Sequence, residues 1–283
     1  MLCIQSPEIL SRYLKIQREK GLKIGFVPTM GAIHVGHQSL IERSAAENDI
    51  TVTSIFVNPK QFNESKDLQF YPRPVVQDIK LLIESGSDLL FQPSVDGVYP
   101  DHFDDTDIEL DGLDHHLEGE WRPGHFQGVA KVIRRFFDII SPDRSYFGQK
   151  DFQQTVVVRK VIEQFHPNVS LEIGAIIREE NGLAYSSRNE RLTAGERQKA
   201  SFINKSLNSI KENVQSEPLQ SSIQKARLFI ESHEGAVIEY LEAVDGYTMN
   251  VLTEMSDSDF VVVVTVVNYG GVRLLDNIIL KQS

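Results

Sequence analysis

The sequence predicts an α/β protein in which a doubly wound, Rossmann-like parallel sheet over residues 1–180 precedes a smaller α+β domain with antiparallel strands over 181–283. Short apolar, β-branched runs without polar alternation stand at Leu22–Val27, Ile50–Val57 and Leu171–Ile177, as in strands buried on both faces of a parallel sheet. Segments of helical period alternate with them, the order of βαβ units. After Arg178 the order changes to polar helices followed by strands in succession.

Each element has its own signal. Ser6 is a helix N-cap with Pro7 in the first turn, and Leu10, Tyr13, Leu14 and Gln17 follow at helical spacing. A helix over Gly36–Asn48 joins the first two strands. The alternation continues with a helix at Val75–Ser85, a strand at Asp88–Phe91, a helix at Phe126–Ile140, a strand at Ser145–Phe147 and a helix at Phe152–Phe165. The character changes between residues 178 and 188. Thr193 begins a helix rich in Lys, Gln and Asn, and a second covers Leu219–His233. Strands at Val237–Val244, Asp259–Val267 and Val272–Leu280 are joined through Asp245-Gly246 and Tyr269-Gly270-Gly271, both hairpin-type turn signals.

Composition narrows the function classes. No basic leader precedes an apolar run, and no stretch reaches the ~18 consecutive apolar residues that a membrane helix requires, so a soluble, cytoplasmic protein without a membrane partner is expected. Cys3 is the one cysteine, which excludes an intrachain disulfide or a cysteine-based zinc site. A net charge of −11 and no long basic run make nucleic acid an unexpected partner. The same field opposes any polyphosphate, so a nucleotide site must concentrate helix N-termini, Lys and Arg locally.

Such a concentration stands at Phe26-Val-Pro-Thr-Met-Gly-Ala-Ile-His34-Val-Gly-His37, where a strand runs through a glycine-containing turn into a helix. Unpaired backbone N–H groups and the positive end of the macrodipole suit phosphate there. His34 and His37 fall on one helical face, where imidazoles can stabilise charge on a nucleotide's phosphates. An isolated His-x-x-His is more often a surface pair or a chance metal site. Zinc is disfavoured because no zincin glutamate or third soft ligand is nearby.

His34-Val-Gly-His37 resembles the His-x-Gly-His signature of the class I aminoacyl-tRNA synthetase and nucleotidylyltransferase superfamily. Six further blocks are similar, in order, to those of the pantothenate synthetase family: Pro28-Thr-Met-Gly-Ala, Phe56-Val-Asn-Pro-Lys-Gln-Phe62 with Tyr71-Pro-Arg73, Glu118-Gly-Glu-Trp-Arg-Pro-Gly-His-Phe126, Tyr146-Phe-Gly-Gln-Lys-Asp151 and Gly182-Leu-Ala-Tyr-Ser-Ser-Arg-Asn189. The resemblance covers nearly the whole chain. It implies ATP-dependent condensation of (R)-pantoate with β-alanine to pantothenate, AMP and diphosphate through a pantoyl-adenylate, in coenzyme A precursor biosynthesis. It also implies ATP as substrate, Mg2+ and a homodimer formed by the N-terminal domain.

Carried onto this sequence, the resemblance makes His34, His37 and Lys150 stabilisers of reaction charge. Met30, Gly31 and Gly36 belong to the first ATP-binding stretch, and Gly148, Lys150 and Asp151 to a second, where Asp151 is set to accept ribose hydroxyls. Tyr185, Ser186, Ser187 and Arg188 resemble the superfamily's second signature, a loop that closes on the triphosphate, though the family usually carries Met or Leu where this chain has Tyr185. Ile177 is expected at the end of the last parallel strand, either beside the base or as plain core. Gln61, Gln154 and Asn58 can each donate and accept, so they can hold pantoate and β-alanine without adding charge; alternatively Asn58 shapes an Asn-Pro turn. Asp78 is a candidate magnesium ligand, the cluster at Asp104, Asp105 and Asp107 a solvated loop, Trp121-Arg-Pro-Gly-His125 a turn opening the next helix, and Asn63–Tyr71 a gate. Three rivals stay open: a nucleotidylyltransferase, a tRNA synthetase and a non-catalytic adenine-nucleotide sensor.

Overall fold

Capping and burial set the first elements. In the computed structural model, which describes residues 1–63 and 68–282, the Ser6 hydroxyl accepts the Ile9 N–H at 3.2 Å and the helix Pro7–Glu19 follows, burying Leu10 and Leu14. Strand β1 (Leu2–Ile4) precedes it; three residues are too short a run to announce a strand in sequence. The alternation then gives β2 (Ile24–Thr29), the helix Val35–Glu47, β3 (Ile50–Ile55), the helix Val75–Glu84, β4 (Leu89–Phe91), the helix His125–Ile140, β5 (Arg144–Gly148), the helix Phe152–Phe165 and β6 (Ser170–Gly174).

Six strands pair in the order β1-β4-β3-β2-β5-β6, every pair parallel. The chain works outward from β2 through β3 to β4 and then returns to the other side of β2 as β5. The order therefore reverses between β2 and β5, and open α/β sheets bind ligands outside the carboxyl ends of such neighbours. The sheet is parallel and Rossmann-like, as expected, with β1 as an added sixth strand, and β2 and β3 are buried along almost their whole length, which explains their missing polar alternation.

The chain forms two compact units, residues 1–148 with 157–174, and residues 149–156 with 175–283. In the second, Thr193 and Glu196 form a capping box at the start of the helix Ala194–Lys199. The single helix expected from Thr193 is two, because a second runs Phe202–Asn213. Ala200, Ser201, Phe202 and Ile203 are all buried, and four consecutive positions exceed the apolar stripe of one straight helix. The helix Leu219–Glu231 and the antiparallel strands β7 (Val237–Asp245), β8 (Phe260–Tyr269) and β9 (Val272–Gln282) complete the unit.

The two turn signals of that sheet have different outcomes. Tyr269 pairs with Val272 across Gly270 and Gly271, whose φ values of 58° and 69° are those a tight two-residue hairpin asks of glycine. Asp245-Gly246 instead opens a wide loop reaching Phe260. The Asp245 carboxylate gathers the N–H groups of Tyr247 and Thr248 and the Ser258 hydroxyl. The chain doubles back at once, Val244 bridging Val251 in antiparallel fashion and Asp245 donating its N–H to the Asn250 carbonyl, so Asp-Gly here marks a capped turn that returns to Val251 rather than directly into β8. Among the described residues no helix is long and apolar enough to cross a membrane.

Asp143, just before β5, ties together the two strands at the reversal. Its carboxylate accepts the Ile24 N–H at 2.9 Å and the Lys23 ammonium at 2.8 Å. Partial burial by itself would raise this carboxyl, but the Lys23 and Ile24 contacts hold it below its ordinary value. A carboxyl lowered in the folded state adds stability above its ordinary pKa and loses it as pH falls through the lowered one. Asp143→Asn is expected to cost about 0.5–1 kcal/mol at pH 7, with the deficit closing as pH falls through the lowered carboxyl. Thermal unfolding of both proteins across pH checks this; a deficit that is independent of pH would contradict it.

Candidate active site

The turn after β2 is held from behind. Thr29 donates its hydroxyl to the Ser54 carbonyl at 2.6 Å and accepts the Gly31 N–H at 3.1 Å. Gly31 and Ala32 both have positive φ, 83° and 51°, a conformation that an alanine adopts at a cost. Asp78, 1% exposed on the helix Val75–Glu84, offsets it by accepting the Ala32 N–H at 3.0 Å and the Ile33 N–H at 2.8 Å, one on each oxygen. Asp78 is thus a strut for this turn, with both oxygens committed to backbone, a poor arrangement for a magnesium ligand.

His34 caps the following helix. Its Nδ1 accepts the Gly36 N–H at 3.1 Å, which places the hydrogen of a neutral ring on Nε2. Gly36 makes that fold-back possible, since a Cβ there would lie 3.0 Å from the His34 ring. One turn on, the His37 ring lies over His34 with centroids 4.1 Å apart and planes inclined by 30°. Around this turn the backbone N–H groups of Gly31, Ala32, Ile33 and Gly36 already have protein acceptors, so the expectation of unpaired donors does not hold for these four. Both imidazoles of this turn are half-buried.

Beside it lies the 3-10 turn Pro59–Gln61. Gln61 is 8% exposed and its Nε2 donates to the Met30 sulfur at 2.9 Å, so the two stretches meet. Asn58 donates to Gln61 Oε1 and the Gly128 carbonyl and accepts the Lys60 N–H and the Tyr99 hydroxyl. With four protein partners, Asn58 orients Gln61 and shapes the turn. Burial first, and Asp105 second, push the Tyr99 phenol well above its ordinary value, so Tyr99 stays a donor to Asn58.

Arg122 and His125, read only as part of a turn, prove to hold Gln61 as well, both donating to its carbonyl. His125 Nδ1 lies 2.8 Å from the Gln61 carbonyl and so donates to it, while its Nε2 lies 3.2 Å from an Arg122 guanidinium nitrogen. Neither His125 nor Tyr99 carries a local signal of this role, because each meets Gln61 or Asn58 only through the fold. The acidic cluster is not simply solvated: Asp105 pairs with Lys60 and Lys131, and Asp107 with Lys131. Lys60 above all holds the Asp105 carboxyl below its usual range. Among the described residues no three His, Cys, Asp or Glu side chains group to hold a metal ion.

The remaining candidates lie in the second unit, apart from Gly148 at the end of β5. An added Cβ at Gly148 would meet nothing within 4 Å, so packing does not demand glycine there. Lys150 stands in the 3-10 turn Gln149–Asp151 and pairs with Asp151 at 3.1 Å; half-buried Gln154 follows in the next helix. Ile177 needs correction: β6 ends at Gly174, and Ile177, half-buried and beyond it, accepts the Tyr185 N–H on its carbonyl at 2.9 Å. It is neither a strand end nor plain core. Arg178 and Ala184 bridge in antiparallel fashion, so residues 178–184 form a hairpin that leads into half-buried Tyr185, Ser186, Ser187 and Arg188. Ser186 caps the next turn by accepting the Arg188 N–H at 3.2 Å. The gate expected over Asn63–Tyr71 lies partly outside the described residues.

Comparison with known proteins agrees in extent. The family model for pantoate-beta-alanine ligase matches residues 2–279. The chain is 42% identical to the pantothenate synthetase of Bacteroides thetaiotaomicron, covering 100% of both chains, and 39% identical to that of Acetivibrio thermocellus, covering 99% of this chain and 100% of the relative. Among solved structures it is similar to the pantothenate synthetase of Thermus thermophilus, with a TM-score of 0.91 at 35% identity over 99% of this chain and 100% of the other. The pantoate-beta-alanine ligase of Francisella tularensis, solved in complex with beta-gamma ATP and beta-alanine, gives a TM-score of 0.78 at 32% identity over 100% of this chain and 99% of the other.

The Asp78 strut has a measurable consequence. Asp78→Asn sets an amide NH2 against one of two backbone donors in a buried site, which is expected to cost about 2–3 kcal/mol. Urea unfolding of the variant checks it; a loss under about 0.5 kcal/mol would mean that the turn does not depend on this carboxylate.

Proposed function

The chain belongs to the pantoate-beta-alanine ligase family, and from that premise we propose that it condenses (R)-pantoate with β-alanine at the expense of ATP, through a pantoyl-adenylate. The observation that carries this reading is the preset pair His34 and His37, with Gln61 held against Met30 at the same turn. A phosphate-facing pair and a substrate-facing amide are thereby adjacent. The Francisella relative's complex supports ATP and β-alanine as substrates.

In the first step a pantoate carboxylate oxygen attacks the α-phosphorus, a P–O bond forms, and the bond to diphosphate breaks. His34 donates from Nε2 to the phosphate oxygens, His37 adds a second donor, and Lys150 neutralises charge on the departing diphosphate. Gln61 and Gln154 hold pantoate, and Met30, Gly31, Gly36, Gly148 and Asp151 line the nucleotide. Ser186, Ser187 and Arg188 close on the triphosphate with hydroxyls and a guanidinium, and the Tyr185 and Ile177 backbones flank the adenine. In the second step the deprotonated amine of β-alanine attacks the acyl carbon, a C–N bond forms, the C–O bond to AMP breaks, and the amine's proton passes to solvent. Proximity supplies much of the rate, and no covalent enzyme intermediate is needed.

Mg2+ enters as MgATP, bound by phosphate oxygens and water; with Asp78 committed to backbone, we assign the ion no protein ligand. Residues 1–180 act as the catalytic domain and 181–283 as a lid, the working form is a homodimer in the cytoplasm, and the product feeds coenzyme A precursor synthesis.

The test is AMP release from purified protein with MgATP, (R)-pantoate and β-alanine, leaving out each in turn. AMP is expected only with all three, matched by pantothenate. Diphosphate without AMP would point to an adenylyltransferase that keeps AMP in its product, and ATP bound but not consumed to a sensor.

A further inference from the structure

Two adjacent residues of β9, Asp276 and Asn277, are polar and almost fully buried, 4% and 2% exposed. Neighbours on a strand point to opposite faces, and each of these reaches a different segment. Asn277 donates from Nδ2 to the carbonyls of Gln149 at 2.9 Å and Lys150 at 3.1 Å, and its Oδ1 accepts the Gln149 side-chain amide at 2.9 Å. Asp276 takes both arms of the Arg178 guanidinium, at 2.7 and 2.8 Å, and Arg178 also donates to the Gly182 carbonyl at 3.0 Å. One arm of the pair thus fixes the turn carrying Lys150, and the other the hairpin leading into Tyr185–Arg188.

We propose that Asn277 is a positioning residue that sets Lys150 for the first chemical step, and that Asp276 does the same, through Arg178, for the loop Tyr185–Arg188. Three hydrogen bonds from a rigid strand to a short turn are far more than that turn needs for burial alone, since its own residues are half-exposed or exposed. They fix the backbone from which a flexible lysine side chain extends. A lysine is a mobile point charge, so the position of its backbone decides how much of its charge is preorganised. The inference rests on the role proposed above for Lys150.

The experiment is a double-mutant cycle of Asn277→Ala and Lys150→Ala, read as single-turnover formation of the acyl-adenylate, with KM for pantoate and thermal midpoints recorded for each protein. Lys150→Ala is expected to slow the step by at least about 10²-fold. Asn277→Ala should slow it by about 10-fold or more in the wild-type background with KM for pantoate unchanged, and by less than about 2-fold when Lys150 is already gone. If Asn277→Ala does not fold, Asn277→Ser, which keeps a polar side chain at the strand, takes its place in the cycle. Equal slowing in both backgrounds, or no slowing in the wild type, would overturn the inference while leaving the role of Lys150 intact. A normal rate for Lys150→Ala would remove that role, and this inference with it.

Discussion

A buried carboxylate governs the geometry of the turn after β2. Asp78 is buried and bonded to the Ala32 and Ile33 N–H groups, in a turn where Gly31 and Ala32 both take positive φ. Buried backbone donors must find acceptors, and here the acceptor comes from a helix more than forty residues away, so the turn exists only in the folded sheet. From its set position follow the capping of the next helix by His34, the fold-back of that ring onto Gly36 and the stacking of His37.

Much of the fold was legible because it depends on local pattern. Ser6-Pro7 fixes a helix start, Gly270-Gly271 a tight hairpin, and the unbroken apolar runs of β2 and β3 a sheet covered on both faces. What was not legible depends on partners distant in sequence. β1 is three residues that become a strand only beside β4. Asp245-Gly246 does turn the chain back, but onto Val251 rather than into β8, and the Asp245 carboxylate caps that loop by reaching Ser258.

The site divides the same way. His34, Gly36, His37 and Gln61 stand out by spacing and resemblance because they belong to contiguous blocks, and the structure places them at neighbouring turns. Asp78 drew attention as an acid and was read as a metal ligand, since nothing in its own segment shows that Ala32 and Ile33 will sit against it. Tyr99 and Asn277 were passed over, and His125 was read only as part of a turn, for the same reason: each acts on a residue of another segment through a bond that only the tertiary structure creates. Contiguous blocks stand out by resemblance, whereas the bonds that hold Gln61 and the Lys150 turn are visible only in the packing of this chain.

The central claim is that the imidazole pair is preset before nucleotide arrives. Nitrogen-15 NMR of the histidine side chains, with and without MgATP, tests it most directly. The account predicts that neutral His34 already carries its hydrogen on Nε2 in the nucleotide-free protein, and that MgATP shifts this Nε2–H without changing the tautomer. A ring that is protonated on Nδ1 in the free protein, or one whose Nε2 resonance ignores saturating MgATP, would contradict it.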